Sequence, residues 1–328
     1  MNILITGGAG YIGSHTARMF NNSCRQVVVY DNLVKGHREA VKGSTFILGD
    51  IFDSELLEHT IKKYYIDSVV HFAAFSLVGE SMEKPRDYYY NNVQGTLNLL
   101  DVMLKNNVKK LVFSSTAAVY GEPEATPITE DIGKNPTNVY GRTKLIMENA
   151  MADYSRSYGL KYIALRYFNA CGADTGGDIG EDHNPETHLI PLILQTCLGK
   201  RDCIKLFGDD YPTKDGTCVR DYIHVNDLAD AHILALKSLY DGHNSDIFNL
   251  GNGSGFTVKE VVEAAEAITG IKINKDIVAR RAGDPAVLIA SSAKIRRDLG
   301  WKPQFVDIGS IIATAWSWHK NHPNGFEQ

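Results

Sequence analysis

Two residues four places apart could do acid–base chemistry: Tyr140 and Lys144, in the string Tyr140-Gly141-Arg142-Thr143-Lys144. On a helix such a pair shares one face, with side chains about 6 Å apart, so a phenol and an ammonium can point into one cleft. A phenol with a pKa of about 10 is a poor base at neutral pH, and a neighbouring cation is what lowers it. The same spacing arises by chance on solvated helix faces, so its companions decide. Phe113-Ser114-Ser115-Thr116 puts hydroxyls at the carboxyl end of an apolar run, which is where ligands sit in open α/β sheets. Thr116 there can hydrogen-bond a substrate hydroxyl that Tyr140 deprotonates; its alternative is a turn or capping threonine.

The elements that must position this chemistry begin at the N-terminus. Asn2–Thr6 is an apolar run that reads as a buried parallel strand, followed by glycines at Gly7, Gly10 and Gly13, a helical stretch Ser14–Asn22, a second strand Gln26–Tyr30, and Asp31. Glycines let the main chain turn tightly against a pyrophosphate, and the start of the helix offers free N–H groups and a positive dipole end. The pattern G-x-x-G-x-x-G departs by one place from the better-known spacing. Asp31, eighteen residues past Gly13, stands where a carboxylate accepts hydrogen bonds from ribose hydroxyls and repels a 2′-phosphate. NAD is the expected cofactor, and its positive nicotinamide ring would join Lys144 in lowering the Tyr140 pKa.

The chain has 328 residues, 44% of them hydrophobic, and a net charge of −5. That is enough for one large core or two modest ones. Dispersed Lys and Arg leave no basic face for a nucleic-acid partner, and no apolar stretch has the length of a membrane span. A cytoplasmic enzyme is expected. Five cysteines, Cys24, Cys171, Cys197, Cys203 and Cys218, lie far apart without a C-x-x-C pair. They read as reduced thiols, and no metal is expected.

Strands at Thr45–Leu48, Ser68–Phe72, Lys110–Ser115 and Lys161–Tyr167 alternate with helices from Asp53 to Lys63, Arg86–Asn107 and Thr137–Tyr158. The fold class is therefore α/β, a Rossmann-type doubly wound parallel sheet. After Phe168 the rhythm changes to a glycine-rich loop, Cys171–Thr187, then helices His188–Leu198, Asp227–Tyr240, Thr257–Thr269, Ser291–Leu299 and Val306–His319, with strands Ile204–Phe207 and Asp246–Leu250. Residues 1–170 would bind NAD, with 224–250 returning to that sheet, and 171–328 would form a smaller C-terminal α/β lobe for the substrate.

The glycine unit, the Thr116 strand end and the Tyr140/Lys144 pair resemble the extended short-chain dehydrogenase/reductase family. Longer strings resemble its bacterial-type UDP-glucose 4-epimerase branch: Gly8–Thr16, Arg166–Asn169, Gly208–Thr213 with Gly216-Thr217, and Arg220–Val225. The similarity runs from Asn2 to about Gly325. It implies reversible UDP-galactose/UDP-glucose interconversion in galactose metabolism. Tyr140 would take the proton of the sugar 4-hydroxyl while C4 gives a hydride to tightly bound NAD; the 4-keto sugar would turn over, and hydride would return to its other face.

By position, the resemblance implies an NAD site of Gly7, Gly10, Tyr11, Ile12 and Gly13, then Asp31, Asn32, Leu33, Val34, Lys35 and Gly36. Asp50, Ile51, Phe72, Ala73, Ala74, Phe75, Ser76, Asn91, Thr116, Tyr140, Lys144 and Phe168 complete it. The UDP-sugar would meet Thr116, Asn169, His188, Leu189, Lys205, Leu206, Phe207, Arg220, Tyr222, Arg281 and Asp284. Arg220 and Arg281 offer planar forks for a diphosphate, and Phe207 a ring for uracil. Ser76 stands where many relatives carry a lysine and His188 where asparagine is usual. Leu288 is at the position that gates sugar size, leaving acceptance of UDP-N-acetylglucosamine or UDP-N-acetylgalactosamine open. A 4,6-dehydratase would need an acid and a base where Ala117 and Ala118 stand, and methyl groups transfer no protons. A non-catalytic NAD-binding regulator fits poorly with an intact Tyr140/Lys144 pair. A homodimer is implied, through helices Arg86–Asn107 and Thr137–Tyr158.

Overall fold

The computed structural model describes residues 1–21, 26–281 and 284–326; Asn22 and Cys24, which the sequence places in the first helix and among the thiols, lie outside them. Seven parallel strands form one sheet in the order Asp246–Leu250, Lys161–Tyr167, Lys110–Thr116, Ser68–His71, Asn2–Thr6, Gln26–Asp31, Thr45–Leu48. The order reverses between Asn2–Thr6 and Ser68–His71, and a crevice for ligand opens at the carboxyl ends beside that point.

These strands read as unbroken apolar runs because both faces of the sheet are covered. Ile3, Ile5, Val27 and Val29 pack on one side with Phe20, Leu228 and Leu236, from helices Tyr11–Asn21 and Val225–Tyr240. Leu4 and Val28 face the other side. There they meet Leu57 of helix Ser54–Lys63, Leu99 and Met103 of Gly95–Lys105, and Met147 and Met151 of Val139–Tyr158. Helices Leu189–Cys197, Val258–Thr269 and Ile308–Asn321 share a separate core around Ile193, Val262 and Ile312.

Several boundaries follow capping chemistry. Asp53 accepts from Leu56 N–H, and Thr257 with Glu260 forms a reciprocal capping box, each satisfying N–H groups that a first turn leaves unpaired. Helix Val139–Tyr158 is capped by Asn138 and ends at left-handed Gly159, φ 73°. Its start is two residues later than the sequence reading. The loop expected over Ala73–Pro85 contains a short helix, Val78–Glu83. The expected single helix after it begins at Pro85 and is locally unwound over Tyr89–Gln94, where it bonds as a π-helix before Gly95–Lys105. Short strands at Asn169–Cys171, Tyr222–His224 and Lys275–Val278 also went unforeseen. Among the described residues no helix is long and apolar enough to cross a membrane.

Candidate active site

Tyr140 sits in the first turn of helix Val139–Tyr158 and Lys144 one turn on. Asn138 aims this turn by accepting from Gly141 N–H at 2.8 Å, and Gly141 is needed because a Cβ there would lie 2.5 Å from the Ala118 carbonyl oxygen. Lys144 is 3% exposed. Its Nζ donates to the Ser114 carbonyl at 2.8 Å and lies 5.9 Å from the centre of the Tyr140 ring. Thr116 ends its strand and accepts from Ala118 N–H at 3.1 Å. Its hydroxyl also faces the Tyr140 phenol closely enough to oppose the effect of burial on it, so the capping role does not remove Thr116 from the site.

Burial decides the charge of these groups. It pushes the Tyr140 phenol up to about 12, against the opposing hydrogen bond with Thr116. It drives Lys144 down to about 7, against the raising charge of Glu148. In the protein by itself burial disfavours both the ionised phenol and the ammonium; the lowering of Tyr140 expected from Lys144 belongs to a cleft that also holds the positive nicotinamide ring. Beneath the pair, Glu148 accepts from Ser115 Oγ at 2.5 Å and Arg166 Nε at 2.9 Å. Arg166 in turn donates to Tyr120 at 2.8 Å, and Tyr120 to Asn249 at 2.7 Å. This buried chain holds the carboxyl ends of three strands in register.

The pair opens on a cleft of about 1270 Å³, more than a single small-molecule site of about 300–1,000 Å³ occupies. On its far side the glycine turn fits a dinucleotide. Gly7 has φ 69°, and a Cβ on it would come within 2.4 Å of Ala73 N. A Cβ on Gly10 would meet only the Gly7 oxygen at 3.5 Å, so a side chain there would fill open cleft. No acid occupies the first turn of helix Tyr11–Asn21, leaving its positive end uncompensated. Asp31 accepts from Ala9 N–H at 2.9 Å and Leu33 N–H at 2.8 Å, and burial raises its pKa against those bonds. Each carboxylate oxygen keeps a lone pair for a ribose hydroxyl.

Tyr11, Ile12, Gly13, Asn32, Val34, Lys35, Gly36, Ile51, Phe72–Ser76, Asn91 and Phe168 line the same cleft. Leu33 and Asp50 do not: Leu33, at φ 61°, packs on the core. Asp50 is occupied by Asn32 Nδ2 at 2.9 Å and Phe52 N–H at 3.0 Å. At the other end, Asn169, His188, Leu189, Lys205, Leu206, Phe207, Arg220, Tyr222, Arg281, Asp284 and Leu288 are brought together as cleft lining. Arg220 pairs with Asp284 and donates to the Val219 carbonyl at 2.7 Å. The Arg281 guanidinium lies 3.9 Å over the Phe207 ring, so the ring expected to take uracil already stacks with a cation.

Several lining residues were not foreseen. Helix Val78–Glu83 adds Val78, Glu80 and Met82, and the loop before Leu189 adds His183, Pro185 and Thr187. The spacing Glu181-x-His183-x-x-Glu186-x-His188 was the available signal for the latter. Asn92, one residue past Asn91, clamps Phe75 through both N–H and carbonyl, at 2.8 and 2.9 Å, and reaches Thr143 at 3.1 Å. It ties the cofactor-side loop to the helix of Tyr140.

The sequence profile of the NAD dependent epimerase/dehydratase family matches residues 3–251. A UDP-glucose 4-epimerase of Halalkalibacterium halodurans is 55% identical over 326 residues, spanning 99% of this chain and 98% of its own. A crystal structure of a UDP-glucose 4-epimerase superposes with a TM-score of 0.98 at 53% identity over 100% of both chains. The Brucella ovis UDP-glucose 4-epimerase in complex with NAD gives 0.94 at 48% identity, over 96% of this chain and 97% of that one. With the glycine turn, the Thr116–Tyr140–Lys144 cluster and a cleft wide enough for two ligands already in place, this chain belongs to the NAD-dependent epimerase/dehydratase family, on its UDP-glucose 4-epimerase branch.

Proposed function

We propose that the protein interconverts UDP-glucose and UDP-galactose by reversible oxidation at C4 of the hexose, with NAD kept in the cleft throughout. The observation that carries this reading is the shared cleft: Thr116, Tyr140 and Lys144 stand between a dinucleotide cradle and an arginine-bearing pocket. Bound NAD supplies an acceptor that takes a hydride from C4 and returns it, together with a positive charge beside the phenol.

The residues do the rest. Tyr140 accepts the proton of the 4-hydroxyl and later gives it back. Burial raises its pKa in the protein alone, so a positive charge brought into the cleft would favour proton removal. Thr116 holds the hydroxyl, and Lys144, anchored on the Ser114 carbonyl, would add its charge beside the phenol when it is protonated. Arg220 and Arg281 take the diphosphate, exchanging Asp284 and Phe207 for phosphate oxygens. In this reading residues 1–170 with 224–250 hold NAD, and 171–328 mainly hold the UDP-sugar. Ala117 and Ala118 line the cleft without a proton to transfer, which favours epimerisation over dehydration.

Incubation with UDP-galactose tests the proposal, with product configuration read by NMR and absorbance followed at 340 nm. Inverted C4 with no accumulating NADH is expected; net NADH release would make it an ordinary dehydrogenase. Cytoplasmic residence and a homodimer belong to the same proposal. Met82, Tyr90, Ile146 and Tyr158 are all more than 40% exposed on or beside the two implied interface helices, and sedimentation reads the mass.

A further inference from the structure

The cysteine pattern predicts no metal, yet a different set of ligands converges on the wall of the cleft. Glu181, His183, Glu186 and His188 bring four ligand atoms within 4.8 Å of one another. Two imidazoles address a single carboxylate oxygen: His183 Nδ1 lies 3.2 Å from Glu181 Oε1, and His188 Nδ1 pairs with the same atom. Glu186 Oε2 is 3.8 Å from His183 Nδ1. Two neutral imidazoles and two carboxylates carry two negative charges, which either two protons or one divalent cation neutralises.

The ligands are held from outside. The other oxygen of Glu186 accepts from Thr187 and His188 N–H at 2.7 and 2.8 Å. Trp318 Nε1 donates to the Glu181 carbonyl at 3.2 Å, Lys35 Nζ to that of Asn184 at 3.0 Å, and His37 Nε2 meets that of Asp182 at 3.0 Å. The bonds to Glu186 orient a ligand carboxylate itself, and the other three hold the main chain of the loop that carries the ligands. Around a zinc-sized ion with bonds of about 2.0–2.2 Å, neighbouring ligand atoms stand roughly 3.4 Å apart. The four ligand atoms lie within 4.8 Å of one another, so binding an ion would require them to draw in by about 1 Å. His188, with 49% of its side chain exposed, leaves one side open to the cleft.

We propose that Glu181, His183, Glu186 and His188 form a binding site for one divalent transition-metal ion of the zinc class. Two nitrogen ligands select this class over magnesium and calcium, which prefer oxygen throughout. The site does not depend on the reaction proposed above, and its test reads metal directly.

Untagged, chelator-stripped, NAD-loaded protein is titrated with Co2+ by visible absorption and with Zn2+ by equilibrium dialysis. One saturable equivalent per chain is expected. His183→Ala and Glu186→Gln should each weaken it by at least about tenfold, with circular dichroism and NAD content unchanged. X-ray absorption at the cobalt edge should count two imidazoles, a result independent of how either variant folds. Absence of saturable binding, undiminished binding in both variants, or fewer than two imidazoles overturns the site.

Discussion

Tyr140 loses most of its ease of ionisation to burial, and this fixes what removing its hydroxyl should do. Tyr140→Phe keeps NAD and UDP-sugar binding while kcat falls by about 10²- to 10⁴-fold, the usual worth of a positioned proton acceptor; near-normal kcat would exclude it as the base. Lys144 permits a test by pH. Its folded pKa of about 7 lies below the ordinary lysine value, so between these limits the unfolded chain binds more protons and stability rises with pH. The burial penalty is full below pH 7 and fades toward about pH 10. Thermal melts of the NAD-free protein should show Lys144→Met most stable relative to the parent at pH 6, with the gap narrowing at pH 9; a constant gap would mean the amine is not depressed. Leu288 lines the cleft on a strand paired with Arg220, and under the proposed function it would set the room for the sugar. Leu288→Tyr should abolish turnover of any N-acetylated UDP-sugar and spare UDP-galactose, as NMR of both mixtures would show.

At the scale of elements, the catalytic helix is aimed by its cap. Asn138→Ala should lower stability by about 0.5–2 kcal/mol, read from the denaturant midpoint, and should also reduce kcat because Tyr140 lies in the freed turn. That helix was legible in the sequence because Gly159 and the i,i+4 pair mark it. The strands Asn2–Thr6, Thr45–Leu48, Lys161–Tyr167, Ile204–Phe207 and Asp246–Leu250 were legible to the residue because each is an apolar run between turn residues. Strands of two or three residues, such as Val219–Arg220 and Tyr222–His224, are too short to show a period. The π-bonded stretch Tyr89–Gln94 keeps helical composition, so nothing in its residue types announces the unwinding. Within the site, resemblance over the run Asp31–Gly36 could not say which residue turns inward, and Leu33 joined the core instead.

Across the whole molecule, the far strand Asp246–Leu250 binds the two halves of the chain into one sheet. A fragment ending at residue 170 would leave Lys161–Tyr167 with a bare edge and Phe248 and Leu250 missing from the core. It should be insoluble or fail to retain NAD, whereas a fragment that is monomeric and holds cofactor would show that the first half folds by itself. During synthesis the same arrangement imposes a schedule. The edge that Asp246–Leu250 will occupy is made early and stays open while the ribosome threads out the intervening segments, which makes it the place where a nascent chain would be expected to pair wrongly until its late-arriving neighbour docks.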